Sequence, residues 1–288
     1  METLMRKVKY LNNRDLLKQI HKSKNSFSSF TDDEYAQYDI ILASLEKVNR
    51  LTVAEAKRNR ADRIGKAAYE AARESGDKKT KLAEVTPDWR KIEKTALIFR
   101  IMTFDHIPEE PGRKRKTKTV ADKHTKVNFP PFQHWKYDEN DNLICVGKSH
   151  WVGGMNNGHF SKSHGRISEE LGRMFLKLAD RYGTRSNWRG YTYNDEMRAQ
   201  AVLQLSQIGL QFDESKSENP FAYYTAAVTN SFTRVLNIEK KNQNIRDDIL
   251  QENNLNPSFT RQNEHVFKED KEKLAEFYKS IRRPKADY

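Results

Sequence analysis

The second half of the chain carries apolar residues at helical spacing. One stripe advances by four, four and three residues, which predicts the buried face of a helix: Met197, Ala201, Leu205 and Ile208. Asn194, followed by two acids, is typical of a helix start, because the amide caps the first turn and the acids meet the positive end of the helix dipole. From 212 to 219 the chain is rich in turn-forming and charged residues, which predicts a break.

A second helix is predicted directly after this turn. Asn219 and Pro220 form an N-cap with proline at the first helical position. We expect its buried stripe to consist of Phe221, Thr225, Val228, Phe232 and Val235. Another face begins with aromatic and amide side chains and ends with cations: Tyr223, Ala227, Asn230, Arg234, Asn237 and Lys241. The helix is expected to continue through residue 252, shortly before a proline.

Further helices are predicted on both sides of the middle of the chain. The N-terminal helix follows the Asn12 and Asn13 cap, and an alanine-rich helix covers 52–75 with Thr52 as its N-cap. An apolar segment over about 88–103 is predicted to be a helix that packs on 52–75. Ser168 caps a helix over 166–183, and its inward residues are Leu171, Phe175, Leu178 and Tyr182. Trp188 is expected to fill the core of the last three helices.

Strand signals are few. The segment 135–147 predicts a β-hairpin, in which a polar turn precedes the short apolar strand 143–146. Residues 39–45 fit either a strand or a helix. The predicted fold class is therefore mostly α: a three-helix core with an N-terminal helical or irregular insertion that contains a small β-hairpin.

Charge and cysteine content narrow the class of protein. The 288 residues carry a net charge of +12, which favours polyanionic partners. After Gly112, the segment to residue 126 holds seven Lys and Arg against one Asp, which predicts a mobile basic loop that contacts phosphates. The single cysteine, Cys145, excludes an internal disulfide, and no apolar run reaches 18 residues. We expect a soluble protein of the cell interior.

Two surfaces of the predicted helix pair suit macromolecular partners. A row of glutamines, at 200, 204, 207 and 211, offers a neutral hydrogen-bonding face, although an unusual solvent face remains the alternative. On the second helix, amides and guanidinium groups can read base edges, aromatic rings can stack on unpaired bases, and lysines hold phosphates. Because tyrosines at a helix start are often half-buried, core positions are the alternative for Tyr223 and Tyr224.

Histidines between residues 134 and 164 support a different function. A zinc site or a metal-dependent nuclease centre would draw on His134, Cys145, His150, His159 and His164. Their spacing fits neither a paired CxxC arrangement nor HExxH, and no matching carboxylate cluster accompanies them. The favoured interpretation is that these histidines form hydrogen bonds within a compact aromatic cluster.

The helix pair resembles a known family. EMRAQAVLQLSQIGLQFD followed by NPFAYYTAAVTNSFTRVL is similar to region 2 of bacterial sigma factors, which binds RNA polymerase and melts the promoter. The similarity is greatest to the late-transcription sigma factors of large tailed bacteriophages, and YLNNRDLLKQI resembles the opening of that family. The match covers about 165–245 and this N-terminal piece. Ala227 and Val228 replace the tryptophan pair of primary sigma factors, which phage late sigma factors also lack.

The resemblance implies two sets of binding residues. In the family, the first helix of the pair binds the coiled-coil helices of the largest polymerase subunit. With the glutamine row, this gives the polymerase set: Glu196, Ala199, Gln200, Val202, Gln204, Ser206 and Gln207. The second helix carries aromatics associated with strand opening and positions that read upstream promoter bases. This gives the DNA set: Phe221, Tyr223, Tyr224, Asn230, Ser231, Arg234, Asn237, Lys240 and Lys241.

The C-terminal tail has two interpretations. Leu274, Phe277 and Tyr278 form a short apolar cluster among charges, similar to the peptide with which phage late sigma factors bind the sliding clamp. The flank here is basic, whereas the family's is acidic. The alternative is a final helix over 271–281 that packs on the body of the protein.

The predicted function follows from the resemblance. A phage sigma factor for late transcription would bind host core RNA polymerase in the cytoplasm of the infected bacterium and direct it to a minus-ten-like element. It would aid strand opening, with the sliding clamp and a coactivator as further partners and without catalysis, cofactor, metal or membrane. The predicted divisions are an N-terminal helix (1–24), an insertion (25–164) with the basic loop 112–126, the region 2 domain (165–250) and the tail (251–288).

Overall fold

The computed structural model describes residues 11–77, 80–108 and 127–281. The predicted basic loop at 112–126 lies outside these residues. The helices of the described part are α1 Asn13–Asn25, α2 Arg50–Glu74, α3 Leu82–Val85, α4 Glu169–Gly183, α5 Asn194–Ile208, α6 Pro220–Glu252 and α7 Phe259–Ile281. The strands are β1 Ser28–Phe30, β2 Ile40–Leu42, β3 Phe99–Met102, β4 Phe132–Tyr137, β5 Leu143–Ser149, β6 Trp151–Val152 and β7 His159–Phe160.

A five-stranded mixed sheet shows that the predicted mostly α fold class is wrong. The strand order is β1-β5-β4-β3-β2; β2 and β3 run parallel, and the other neighbours are antiparallel. Strands β6 and β7 form a separate hairpin. The chain therefore has an α/β fold, in which this sheet stands beside a helical module.

The largest error in the prediction concerns residues 88–103. This segment holds two short 3-10 turns and then β3, which lies between β2 and β4 in the sheet. Consecutive residues Phe99, Arg100 and Ile101 are all buried, because β3 is an interior strand that is covered on both faces. A short apolar run of this kind does not distinguish a buried strand from a buried helix, and the strand pairing decided between them.

The predicted hairpin is confirmed as β4 and β5. The Asp138 carboxylate accepts backbone hydrogen bonds from Asn140 and Asn142, each 2.8 Å long, which holds the turn closed. Asp141 adopts a φ of 65°, a left-handed conformation that Asp tolerates better than most residues. Turn chemistry at these four positions was sufficient to predict the loop.

Helix α2 packs on the sheet, close to the predicted position. It begins at Arg50 because Asn49 is the N-cap; Thr52 is the third helical residue and completes a capping box. Ala56 is fully buried against a second, smaller core. The other buried members of this core are Ile40, Leu97, Phe99, Ile101 and Tyr137.

The main core joins four helices to the sheet. Leu16 and Ile20 of α1 pack with the inward faces of α4, α5 and α6, and Phe27, Phe129 and Phe132 belong to the same cluster. The inward residues predicted for α4 are all buried, and Ser168 caps this helix by accepting from Leu171 N. The predicted insertion and the predicted region 2 segment therefore share apolar packing.

The short connection between α4 and α5 is held by Asn194. This residue starts α5 itself and is not its cap, contrary to the prediction. Its buried Nδ2 donates to the carbonyl oxygens of Gly183 and Trp188, at 3.0 and 2.9 Å. Trp188 lies in the core beside Tyr182 and Phe232, as the sequence indicated. One side chain therefore aligns the end of one helix with the start of the next.

None of the described helices is long and apolar enough to cross a membrane.

Candidate nucleic-acid interface

The predicted polymerase set lies along the outer side of α5. Glu196, Ala199, Gln200, Ser206 and Gln207 are exposed, while the remaining two positions of the set, 202 and 204, are half-buried. Gln200 Nε2 donates to Glu196 Oε1 at 3.1 Å, so these two side chains are ordered on the surface. The face is polar at its edges and is open to a partner.

Sequence reasoning missed one apolar residue of this face. Leu203 is 51% exposed, between the glutamines at 200 and 207. It does not fit the inward stripe of α5, and that departure was the available signal. An exposed leucine within an amide-rich surface provides the apolar contact that protein interfaces place at their centre.

The predicted DNA set does not share a single face of α6. Asn230, Arg234 and Asn237 are exposed together with Lys240 and Lys241. The side chain at position 223 is half-buried beside the Phe212 ring. The exposed and half-buried members of the set, at 223, 230, 234, 237, 240 and 241, form a continuous outer surface along the middle of the helix.

Two members of the DNA set belong to the core, which corrects the prediction. Tyr224 is 0% exposed and Ser231 is 7% exposed. The Tyr224 hydroxyl donates to Gly209 O at 2.5 Å, and burial raises the pKa of this phenol far above its usual value. Phe221, which was predicted to be both buried and DNA-binding, is 36% exposed.

The predicted and observed buried stripes of α6 differ in the first two turns. The buried positions of the first half of the helix are Pro220, Tyr224, Val228, Ser231, Phe232 and Val235. Val228, Phe232 and Val235 belong to both stripes, but Pro220 and Tyr224 are buried in place of Phe221 and Thr225. Packing of Tyr224 against Phe175 and Phe212 places this ring in the core.

A groove between α5 and α6 brings the two predicted sets together. It has a volume of about 410 Å³ and is lined by Gln200, Gln204, Ile208, Tyr223, Ala226, Ala227, Asn230, Ser231 and Arg234. A shallower surface continues along α6 past Ile238 to Lys241. The amide-rich face of α5 and the cationic face of α6 are therefore neighbours across one groove.

The cations of α6 are electrostatically available. Within the described part of the chain, no carboxylate lies at ion-pair distance from Arg234, Lys240 or Lys241. Glu239, the acid nearest to them along the helix, accepts a hydrogen bond from Asn242. Positive charge that is not neutralised on one helix face suits a phosphate backbone.

The buried histidines are engaged within the protein. Burial lowers the pKa of His134 well below 6.5, and its neutral ring accepts from Arg100 Nε at 2.9 Å and donates to Tyr35 O at 2.6 Å. His150 stacks near Phe129, with ring centroids 4.1 Å apart, and burial lowers its pKa to about 3. For these two residues the predicted aromatic cluster is confirmed.

The remaining members of the predicted metal set do not form a metal-ligating group with His134 and His150. His159 and His164 are exposed, and Cys145 Sγ lies 3.5 Å from Gly147 O. The described residues contain no group of three or more His, Cys, Asp or Glu side chains that could hold a metal ion. The geometry on which the nuclease alternative depends is not formed in this part of the chain.

The tail helix α7 presents its apolar cluster to solvent. Leu274, Phe277 and Tyr278 are 56, 60 and 58% exposed. The helix of the alternative interpretation is formed, but the packing that it gives to Leu274 and Phe277 on the body is not. The start of α7 is attached to α6, because Ser258 bonds to both carboxylate oxygens of Asp247 at 2.8 and 2.7 Å. The helix is anchored at its beginning and carries an exposed apolar cluster towards its end.

Comparison with known proteins identifies no relative. No family model, curated protein or solved structure matches the chain. The chemistry of the α5–α6 groove is therefore the main guide to function: an amide-rich surface suited to a protein partner, beside a cationic surface suited to a polyanion.

Proposed function

We propose that the protein is a transcription initiation factor of the sigma class that acts on phage late promoters. It binds host core RNA polymerase through the outer side of α5 and contacts promoter DNA through α6. The observation that carries the proposal is the shared groove, where Gln200 and Gln204 of the polymerase set meet Tyr223, Asn230 and Arg234 of the DNA set. A sigma factor needs these two surfaces side by side, because it holds polymerase and promoter in one complex.

The proposal assigns separate roles along α6. Arg234, Lys240 and Lys241 contact phosphates, since their charges are exposed and are not paired with described carboxylates. Asn230 offers an amide for base edges, and Tyr223 offers a partly exposed ring for an unpaired base. The preferred substrate of this surface is an AT-rich minus-ten-like element whose strands are opened in the polymerase complex.

The direct test is reconstitution. Tagged protein is incubated with bacterial core RNA polymerase, the complex is isolated, and transcription is measured from a phage late promoter and from a host promoter. We expect co-purification with core polymerase and initiation at the late promoter only. Absence of a complex with core polymerase overturns the proposal.

Arg234→Ala is expected to weaken promoter opening and to leave polymerase binding intact. The arginine contributes to binding through the attraction between its charge and a phosphate. A second variant, Tyr223→Ala, removes a ring whose stacking on a base contributes about 1–3 kcal/mol, so it should reduce the fraction of open complexes by about tenfold. Permanganate footprinting measures the opening, and co-elution measures polymerase binding. Arg173→Ala, on the exposed side of α4, removes the same charge elsewhere and serves as the control. If Arg234→Ala and Arg173→Ala open promoters equally well, the α6 surface is wrongly assigned.

Replacing Glu196, Gln200 and Gln204 by lysine is expected to weaken binding to core polymerase by at least tenfold. Glu196 and Gln200 are exposed, Gln204 is half-buried at the groove, and none of the three belongs to the hydrophobic core, so three new cations alter the partner surface and leave the core packing intact. Circular dichroism should show an unchanged melting temperature. Asp195→Lys, whose carboxylate is also exposed on this helix, provides a control for added charge alone. Normal co-elution of the triple variant with polymerase would contradict the assignment.

Deleting residues 271–288 is expected to abolish activation by a phage sliding clamp and to leave basal transcription unchanged. The apolar cluster of this segment is exposed, so its loss removes little buried area and should move the melting temperature by less than about 2 °C. A Leu274→Ala/Phe277→Ala variant tests the same surface without truncation. Full clamp-dependent activation in both variants would exclude the clamp role.

A further inference from the structure

A second cleft borders the turn between α5 and α6. It has a volume of about 1050 Å³ and is enclosed by α1, the segment around β2, one side of α2 and the turn itself. This volume is close to the upper range of pockets for small organic ligands. The lining contains polar residues from these four parts of the chain and from β3, among them Arg14, Lys18, His21, Arg63, Arg100 and Glu214.

Arg100 is the unusual member of this lining. It belongs to the interior strand β3, is only 1% exposed, and its guanidinium carbon lies 3.9 and 3.8 Å from the ring centroids of Tyr38 and Phe132. Its Nε donates to the neutral ring of His134, while Nη1 and Nη2 have no hydrogen-bond partner among the described residues. A guanidinium group held between two rings in this way has a fixed orientation. Its two terminal nitrogens, Nη1 and Nη2, form the Arg100 fork.

Among the described residues Arg100 has no ion-pair partner of its own, and the charge of Glu214 acts on it only from beyond ion-pair distance. Asp39 is engaged by Arg60 and Arg63, and Glu214 by Lys24 at 2.6 Å. No described carboxylate lies at ion-pair distance from Arg100. A buried cation without a paired anion is strongly destabilising, so an anion that reaches the fork would be held firmly.

Further polar atoms without partners collect at the same place. Asn25 Oδ1 and Arg63 Nε line the cleft and lack a hydrogen-bond partner among the described residues, whereas Glu214 Oε1 is paired with His21 Nε2 at 3.4 Å. Together with the Arg100 fork, the two unpaired atoms provide three donors and one acceptor. Buried polar atoms are nearly always bonded, so their concentration in one cleft indicates a polar ligand.

We infer that this cleft binds a small organic anion, with the phosphate or carboxylate group of the ligand on the Arg100 fork. Two terminal N–H groups of a guanidinium match two oxygens of either group bidentately. Exposed Lys18 and Lys22 at the rim attract the anion, and the Asn25 acceptor suits a hydroxyl or amino group on the rest of the ligand. This inference is independent of the polymerase and promoter surfaces.

Thermal unfolding in phosphate-free buffer tests the inference. The full chain is titrated with orthophosphate, with adenosine monophosphate and with citrate, each against sodium chloride of equal ionic strength. At a ligand concentration of about 100 times Kd we expect the melting temperature to rise by about 5 °C. A rise with the two phosphates alone assigns a phosphate ligand, and a rise with citrate alone assigns a carboxylate. No rise with any of the three, as expected if buried water satisfies these atoms, overturns the inference.

Two sets of variants identify the fork and the rim. Arg100→Met removes the fork, and its melting temperature should no longer respond to the anion. If this variant fails to fold, Lys18→Gln/Lys22→Gln keeps the core intact and should weaken the anion by about threefold to tenfold, measured by calorimetry. Lys47→Gln/Lys66→Gln removes the same charge from exposed positions outside the cleft, and should bind like the unmodified protein. Equal affinity of the two lysine pairs, or an undiminished response of Arg100→Met, contradicts the site.

Discussion

Replacing Tyr224 by alanine is expected to lower the free energy of unfolding by about 3–5 kcal/mol, as large-to-small changes at buried aromatic positions do. The ring is 0% exposed and packs edge-on against Phe175, with centroids 4.9 Å apart. Its hydroxyl also bonds the carbonyl of Gly209, where α5 ends. The side chain therefore connects α4, α5 and α6, and truncation leaves a cavity at the centre of the helical module.

Two neighbouring substitutions make this prediction specific. Tyr224→Phe retains the ring and leaves Gly209 O without its buried partner, which should cost about 1–3 kcal/mol. Tyr223→Ala, at a half-buried position, should cost less than Tyr224→Ala. Urea denaturation followed by tryptophan fluorescence measures all three. A Tyr224→Ala protein of normal stability that has lost single-stranded DNA binding would restore the original prediction of a stacking role.

Glu214→Gln is expected to destabilise the protein by about 3–5 kcal/mol, because it leaves the charge of Lys24 buried and unpaired. Lys24 is 1% exposed, and its Nζ donates to Glu214 Oε2 at 2.6 Å and to Phe212 O at 2.7 Å. The pair joins α1 to the turn between α5 and α6. The ion pair consequently holds this turn in position relative to the rest of the core.

A double substitution separates the ion pair from simple packing. Lys24→Met/Glu214→Leu removes both charges, and replacement of a buried pair by apolar residues is often neutral. Most of the stability lost in Glu214→Gln should therefore return in the double variant. Equal losses in both proteins would mean that the packing shape of these side chains matters more than their charges.

The contribution of Glu214 is also expected to depend on pH. Burial raises the pKa of this carboxyl. The hydrogen bond from His21 and the charges of Lys24 and Arg100 lower the pKa by more than burial raises it, so the pKa in the folded protein lies well below the usual value. A carboxyl with a lowered folded-state pKa stabilises the protein above its unfolded-state pKa of about 4.3 and loses this contribution as the pH falls. The stability difference between the unmodified protein and Glu214→Gln should be largest above pH of about 5 and should narrow below about 4. Denaturation curves at several pH values measure it.

Helix ends were the most predictable feature of the fold. Asn12, Ser168 and Asn219 were identified as caps, and each accepts a hydrogen bond from a backbone N–H of the first turn. The hairpin turn at Asp138 was predicted equally well. These contacts join residues at most four positions apart, so their chemistry is contained in a short stretch of sequence.

The sheet was less predictable because its contacts are remote. Strand β3 pairs with β2, about 60 residues earlier, and with β4, about 30 residues later. Its apolar residues fitted a helix as well as a buried strand until these partners were known. The position of Arg100 had no local signal either, since an arginine in the middle of a strand ordinarily faces solvent.

The candidate site likewise has features that the sequence predicted and features that it did not. The outer face of α6 was predicted from spacing, and Asn230, Arg234 and Asn237 are indeed exposed. Tyr224 and Phe221 were assigned to the wrong sides, because periodicity does not decide which of several aromatic residues in the first two turns of a helix faces the core. The adjoining groove arises from the packing of α5 against α6. The spacing of residues along one helix does not predict how that helix packs against another.

The sequence by itself determined helices α4, α5 and α6, the caps of α4 and α6, the polar turn between α5 and α6, and the cationic character of the outer α6 face. Hydrogen bonds and charge within a few residues are responsible for these features. Only the tertiary structure decided the five-stranded sheet, the burial of Tyr224, the ion pair between Lys24 and Glu214, and the cleft around Arg100. Each of these depends on groups brought together from distant positions, where packing in the common core overrides local preference.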